Sequence, residues 1–335
     1  MTFLGARRHR AMCMALAAML MASACGGSEA DSVSAVREPA ATPVPATEPD
    51  PTATAEPTAT PEPEPLVGEL LLQRGTTRLP SQAIVHDLAS GVERALTQEG
   101  VAIATGEWTS DGSRLVYAIS EGVTRVVVAE ADGANPVQAS VPVADVGWEE
   151  AVPTWAPDCQ RLAFARFDLE NNRSEIWTML ADGTDRVQVT SGTGIDTGVD
   201  WSPVDDRLVF MSDRGGDSEI VVIDMATGEE SQLTDNTVGD TWPQWSPDGD
   251  RIAFARRVNE RKQIFVVDAD GTNEVQLTNG ARGGEFPVWS SDGDWIAYEQ
   301  AGVSVSVMRA DGTDRRELDI SGVPTDWGPN TGTCS

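Results

Sequence analysis

The sequence predicts an all-β fold: a six-bladed β-propeller of four-stranded blades, closed by a C-terminal inner strand. Three observations predict it. Tryptophan recurs at Trp108, Trp155, Trp201, Trp245 and Trp289, in steps of 47, 46, 44 and 44 residues. An Ala-Asp-Gly or Ala-Thr-Gly turn follows each of them within one repeat. The two chain ends hold complementary fragments of one further unit. A period of 40 to 50 residues made of short strands points to radial repetition.

The first 25 residues read as an export signal. Arg7, Arg8 and Arg10 form a basic start, and Ala11 to Met21 an apolar run too short to span a bilayer as a helix. Ala22-Ser23-Ala24 suits ordinary signal peptidase. Followed by Cys25 and Gly26-Gly27-Ser28, the same segment resembles the lipobox of bacterial lipoproteins, with Ala22 where that box usually has Leu. Lipidation of Cys25 is the favoured reading, and Cys13 would leave with the leader. Residues 26–66 form a tether of Pro, Thr, Ala and Glu. Such a segment cannot bury apolar area and stays extended. At about 3.1 Å per residue it could hold a domain up to roughly 100 Å from its anchor.

From residue 67 to 335 the chain reads as one propeller domain. Trp245-Ser246-Pro247-Asp248-Gly249 is an apolar stub and a tight turn, and Ile252-Ala253-Phe254 opens the next strand. Ile264-Phe265-Val266-Val267 is a β-branched and aromatic run, and Ala269-Asp270-Gly271 is a hairpin signal. Each unit thus yields strand A ending at the Trp, then B, C and D. Leu70 to Thr97 has the texture of B, C and D without A. Val323 to Pro329, around Trp327, has that of A alone, so the C-terminus is expected to complete the first blade.

The motif W-S-P-D-G-x-x-I-A-F, followed by I-x-V-x-D-A-D-G-T and L-T, resembles the WD40-like β-propeller repeat of the TolB family, over residues 68 to about 330. TolB itself carries an extra α/β domain before its propeller, where this chain has the tether. The resemblance implies a module that grips partner proteins or peptides, often at the channel mouth.

Composition narrows the chemistry. The chain has 24 Lys+Arg against 53 Asp+Glu; three of the Arg and none of the acids precede Cys25, so a mature chain carries 21 − 53 = −32. This excludes nucleic acid as a partner and leaves the membrane reachable only through the lipid anchor. His9 lies in the leader, which leaves His86 alone and argues against a His-based triad or metal site.

The tryptophans Trp108, Trp155, Trp201, Trp245, Trp289 and Trp327 are expected to be structural wedges. Asp268 to Glu274 superficially resembles a calcium loop but lacks the later ligands, and reads as a hairpin turn. Glu150, Asp196 and Asp240 stand five residues before a blade Trp, and Glu285 four before. They are expected in the D-to-A connections at one channel mouth, as a negative funnel for a cation or basic peptide. Trp242 and Phe286, three before their Trp, would add apolar anchors there. Cys159 and Cys334 are an even pair in an exported chain and so candidates for a disulfide.

No catalytic constellation appears. The expected function is a monomeric, exported, lipid-anchored binding or scaffold module at the cell envelope, with a protein or peptide partner and no cofactor. The alternative is a carboxylate- or calcium-dependent hydrolase or lyase in the channel, with Glu150 and Asp240 as its acid/base pair.

Overall fold

A computed structural model describes residues 64–75, 82–97, 102–120, 123–140, 147–300, 302, 304–328 and 332–334. The export signal, Cys25 and the tether up to residue 63 lie outside the described residues. The strands form six antiparallel sheets of four. Blade 1 takes strands B to D from Glu69–Arg74, Gln82–Asp87 and Glu93–Ala95, and strand A from Val323–Gly328. Blade 2 is Ala102–Trp108, Arg114–Ser120, Thr124–Glu130 and Val137–Gln138. Blade 3 is Trp148–Trp155, Arg161–Asp168, Arg173–Leu180 and Val187–Gln188. Blade 4 is Asp196–Trp201, Arg207–Ser212, Glu219–Asp224 and Glu230–Gln232. Blade 5 is Asp240–Trp245, Arg251–Val258, Arg261–Asp268 and Val275–Gln276. Blade 6 is Glu285–Trp289, Trp295–Gln300, Ser304–Arg309 and Arg316–Ser321.

The A strands touch one another around a closed ring, so they surround the axis. Closure is by the C-terminal strand: Trp327 pairs with Leu70 and Gly328 with Glu69. No central edge is left unpaired, and most outer D strands are only two or three residues long, which blunts the remaining edges. Among the described residues no helix is long and apolar enough to cross a membrane.

The repeated motif has a local reason. Ser246 Oγ donates its one proton to Asp248 at 2.5 Å and accepts the Arg251 N–H at 2.9 Å. Gly249 closes the turn at φ 72°, where a side chain would overlap Val204 of the blade before. The loop over Asp268 to Glu274 is a hairpin turn: Asp270 accepts Thr272 N–H and Oγ–H, and Asn273 donates to Asp268. The D-strand Thr seals the outer edge, as Thr234 Oγ accepts Ile220 N–H and Thr278 Oγ accepts Ile264 N–H.

The core lies between blades rather than within them. Trp245 packs with Val209 and Met211 of blade 4 and Ile252 and Phe254 of its own blade. Trp108, Trp155, Trp201, Trp289 and Trp327 occupy the equivalent wedges. The first B-strand residue of the preceding blade stacks on four of them: Arg114 over Trp155, Arg161 over Trp201, Arg207 over Trp245 and Arg251 over Trp289, at 4.8 to 4.9 Å. The guanidinium covers the indole face while its charge stays near solvent.

Candidate channel-mouth site

Strand A departs from regular pairing in every blade. In blade 3 the register passes from Ala151↔Ala165 to Thr154↔Ala163, so Val152 and Pro153 oppose the single residue Phe164. The same irregularity falls in blades 4, 5 and 6 at Gly198-Val199, Trp242-Pro243 and Phe286-Pro287. The first bulge residue adopts positive φ in all four: 54° at Val152, 63° at Gly198, 57° at Trp242 and 53° at Phe286. Only glycine takes this conformation at no steric cost, and the other three carry strain of order 1–3 kcal/mol each. Proline fits the second position in three of the blades, because a bulge leaves its missing N–H without a ladder partner.

The bulges turn these residues into the channel. Val152, Pro153, Val199, Trp242, Phe286 and Pro324 contribute to an apolar collar around a cavity of about 60 Å³. Trp242 is half-buried, and its ring lies 4.9 Å from that of Phe286, tilted by 50°. Trp242 also donates a side-chain hydrogen bond to the Glu285 carboxylate. An aromatic pair is thereby fixed in place before any partner arrives.

Along the same channel wall lies a set of side-chain acceptors that sequence reasoning missed, at the residue just before the blade Trp in blades 1 to 4. Asp326 accepts the Trp108 N–H at 2.8 Å, Glu107 the Trp155 N–H at 3.1 Å and Asp200 the Trp245 N–H at 2.7 Å. Thr154 Oγ accepts the Trp201 N–H at 3.3 Å and donates to Asp200 at 3.2 Å. Each bond joins one blade's inner strand to the next. Burial dominates the titration of the three carboxyls and pushes all of them up: Asp200 to about 7, Asp326 to about 6, and Glu107 well above the usual carboxylate range. Their mutual repulsion adds to the rise of Glu107 and Asp200.

The four acids expected as a negative funnel are placed differently. Asp196, Asp240 and Glu285 are the first residues of their A strands and Glu150 is the third of its own, so they lie in the strands and not in the connections. All four are buried. Each faces a cation. Asp240 is held by Arg256 through two bonds of 2.7 Å, and Arg256 also binds Glu274. Asp196 lies 3.2 Å from Arg214, Glu285 pairs with Lys262, and Glu150 pairs with Arg186 beside Arg166. Register accounts for two of these contacts, because beyond the bulge the start of strand A pairs with the end of strand B, as in Asp240↔Arg256 and Glu150↔Arg166. Burial pushes the Glu150, Asp196 and Glu285 carboxyls up, and their cations pull them back. In blades 3 to 6 the acids are therefore buried, neutralised pairs at the starts of the inner strands, and none of them lines the cavity. Trp242 and Phe286 are brought together, whereas the four carboxylates remain one to a blade.

A family model described as the TolB beta propeller domain matches residues 73–330. The chain belongs to the TolB β-propeller family. Among solved structures, TolB from Acinetobacter baumannii is similar at 20% identity and TM-score 0.67, covering 79% of this chain and 67% of that one. A putative TolB from Agrobacterium tumefaciens is similar at 22% identity and TM-score 0.62, covering 74% and 92%. A chain from a nidogen/laminin complex is similar at 13% identity and TM-score 0.60, covering 77% and 94%. At these identities the likeness to solved structures is one of fold.

Proposed function

We propose that this TolB-family propeller is a non-enzymatic binding module that grips a protein or peptide partner at its channel mouth. The observation that carries the reading is the Trp242–Phe286 pair, two large aromatics on strained positive-φ backbone at an apolar cavity. Strain of this kind persists where the surrounding structure over-determines it, and it collects at binding sites. A partner would pack an apolar side chain against the paired rings, where a buried aromatic anchor supplies most of the energy of a small interface. Export, lipidation at Cys25 and a place at the cell envelope complete the proposal, and they rest on the leader and tether of the sequence. A neighbour of the same fold was solved in a complex between proteins, which suits a scaffold role.

The ion pairing favours binding over catalysis. A hydrolase or lyase drawing on Glu150 and Asp240 would need two carboxyls free to exchange protons with a substrate. Here one is bound to Arg186 and the other doubly to Arg256. The test is a peptide-display selection on the protein, with the captured peptides titrated against wild type, Trp242→Ala and Phe286→Ala. The proposal expects each substitution to weaken capture by at least tenfold. Equal affinity for all three proteins would place recognition elsewhere on the ring.

A further inference from the structure

Cys159 occupies the turn position that Gly112, Gly249 and Gly293 fill in three other blades, and like them it has positive φ, 55°. It is buried, and it is joined to Cys334, which is exposed, with their Cα atoms 5.5 Å apart. The two cysteines belong to blades that are not neighbours: Cys159 lies in the A-to-B turn of blade 3, and Cys334 follows the inner strand of blade 1. Gly332, two residues before Cys334, lies against the A-to-B turn of blade 2, where an added Cβ would stand 3.1 Å from the Ser110 carbonyl oxygen. Ser110 Oγ in turn lies 3.8 Å from Cys159 Sγ.

The strand that this tail restrains is the ring's point of closure. Val323–Gly328 is the one inner strand not joined by a turn to the rest of its blade. It is held by a six-residue partner strand with an irregular register, by the Trp327 wedge and by the Asp326 bond to Trp108. It also supplies Val323, Pro324 and Thr325 to the channel wall. The disulfide spans 175 residues of sequence, so it ties the two sides of the closure directly to each other.

We infer that the Cys159–Cys334 bond is a thiol-responsive clasp on the closing strand, whose reduction loosens the channel wall between blades 6 and 2. The exchange runs from the exposed side. One thiolate of an external dithiol attacks Cys334 Sγ, the S–S bond breaks, and its electron pair leaves on Cys159, which takes a proton. The dithiol's second thiolate then attacks the mixed disulfide and releases Cys334, which takes the second proton, and the reductant becomes a disulfide. Two electrons and two protons pass in all. Loss of the clasp returns the closing strand to its non-covalent contacts, and the last strand in the ring becomes a separate, low-stability opening unit.

Hydrogen exchange on the full chain, oxidised and then reduced with a dithiol, reads this directly, with free thiols counted to confirm reduction. Amides of 323–328 and of the facing 69–74 are expected to exchange roughly tenfold faster or more after reduction, with the inner strands of blades 4 and 5 unchanged. Cys334→Ser should show the fast pattern without reductant and no further response to it. Unchanged exchange at 323–328 after complete reduction overturns the clasp. A uniform acceleration in all six inner strands overturns it too, since the bond would then be a global staple and not a local one.

Discussion

Replacing Asp200 by Asn should flatten the pH dependence of stability. Asp200 is buried on the inner strand of blade 4, accepts the Trp245 N–H and a Thr154 hydroxyl, and has its pKa moved from the ordinary 3.8 to about 7. A folded-state pKa raised above the unfolded one means that the native protein holds a proton the unfolded chain has released. The contribution is therefore fully present below about pH 4 and is lost as pH rises through about 7. At about 1.4 kcal/mol per pKa unit, the loss is on the order of 4 kcal/mol. Glu107 and Asp326 are shifted the same way and act with the same sign. The Asn variant keeps a carbonyl oxygen for the Trp245 N–H and has no proton to lose. Removing the Asp200 charge also removes one cause of the Glu107 shift. Urea denaturation of wild type and Asp200→Asn at about pH 5 and about pH 8.5 gives the double difference. Wild type should lose on the order of 2–4 kcal/mol more than the variant across that span. Parallel pH profiles for the two proteins would refute the view that these carboxyls titrate in the folded ring.

Other predictions follow from the same structure. Trp245→Ala should cost about 3–5 kcal/mol in urea denaturation, because it empties a wedge between blades 4 and 5 and strips Arg207 of its stacking partner. Asp240→Ala should cost about 1–3 kcal/mol, since it removes the buried two-bond partner of Arg256 but leaves Glu274 on the same guanidinium. Trp242→Gly should destabilise the protein less than Trp242→Ala in thermal denaturation, because both lose the same ring contacts while glycine alone relieves the positive φ, and peptide capture should fall equally in the two.

The fold was legible because its signals are local and repeated. Trp245, the Asp248-Gly249 turn and the Ala269-Asp270-Gly271 turn lie within one repeat, and five imperfect copies average out each blade's exceptions. The closing strand was legible because Trp327 stood without a following unit. The site was harder to read. Val152, Trp242 and Phe286 are residue types that do not announce positive φ, and only Gly198 at the equivalent position hints at it. The acceptor set is invisible to a window, since Asp200 serves an N–H 45 residues further on and Asp326 one that lies 218 residues before it. The four acids were expected in the D-to-A connections and stand in strand A instead, and their cationic partners were not foreseen. Arg256 follows Asp240 by 16 residues, on a strand whose register the bulge fixes, and Arg186 follows Glu150 by 36, in the turn that leads into the next outer strand.

The most direct measurement is a structure of the propeller bound to a peptide selected on it. The account predicts an apolar or aromatic side chain seated against the Trp242–Phe286 pair, with the Asp240–Arg256 and Glu285–Lys262 pairs intact around it. A peptide bound along an outer D strand, with the collar empty, would contradict it.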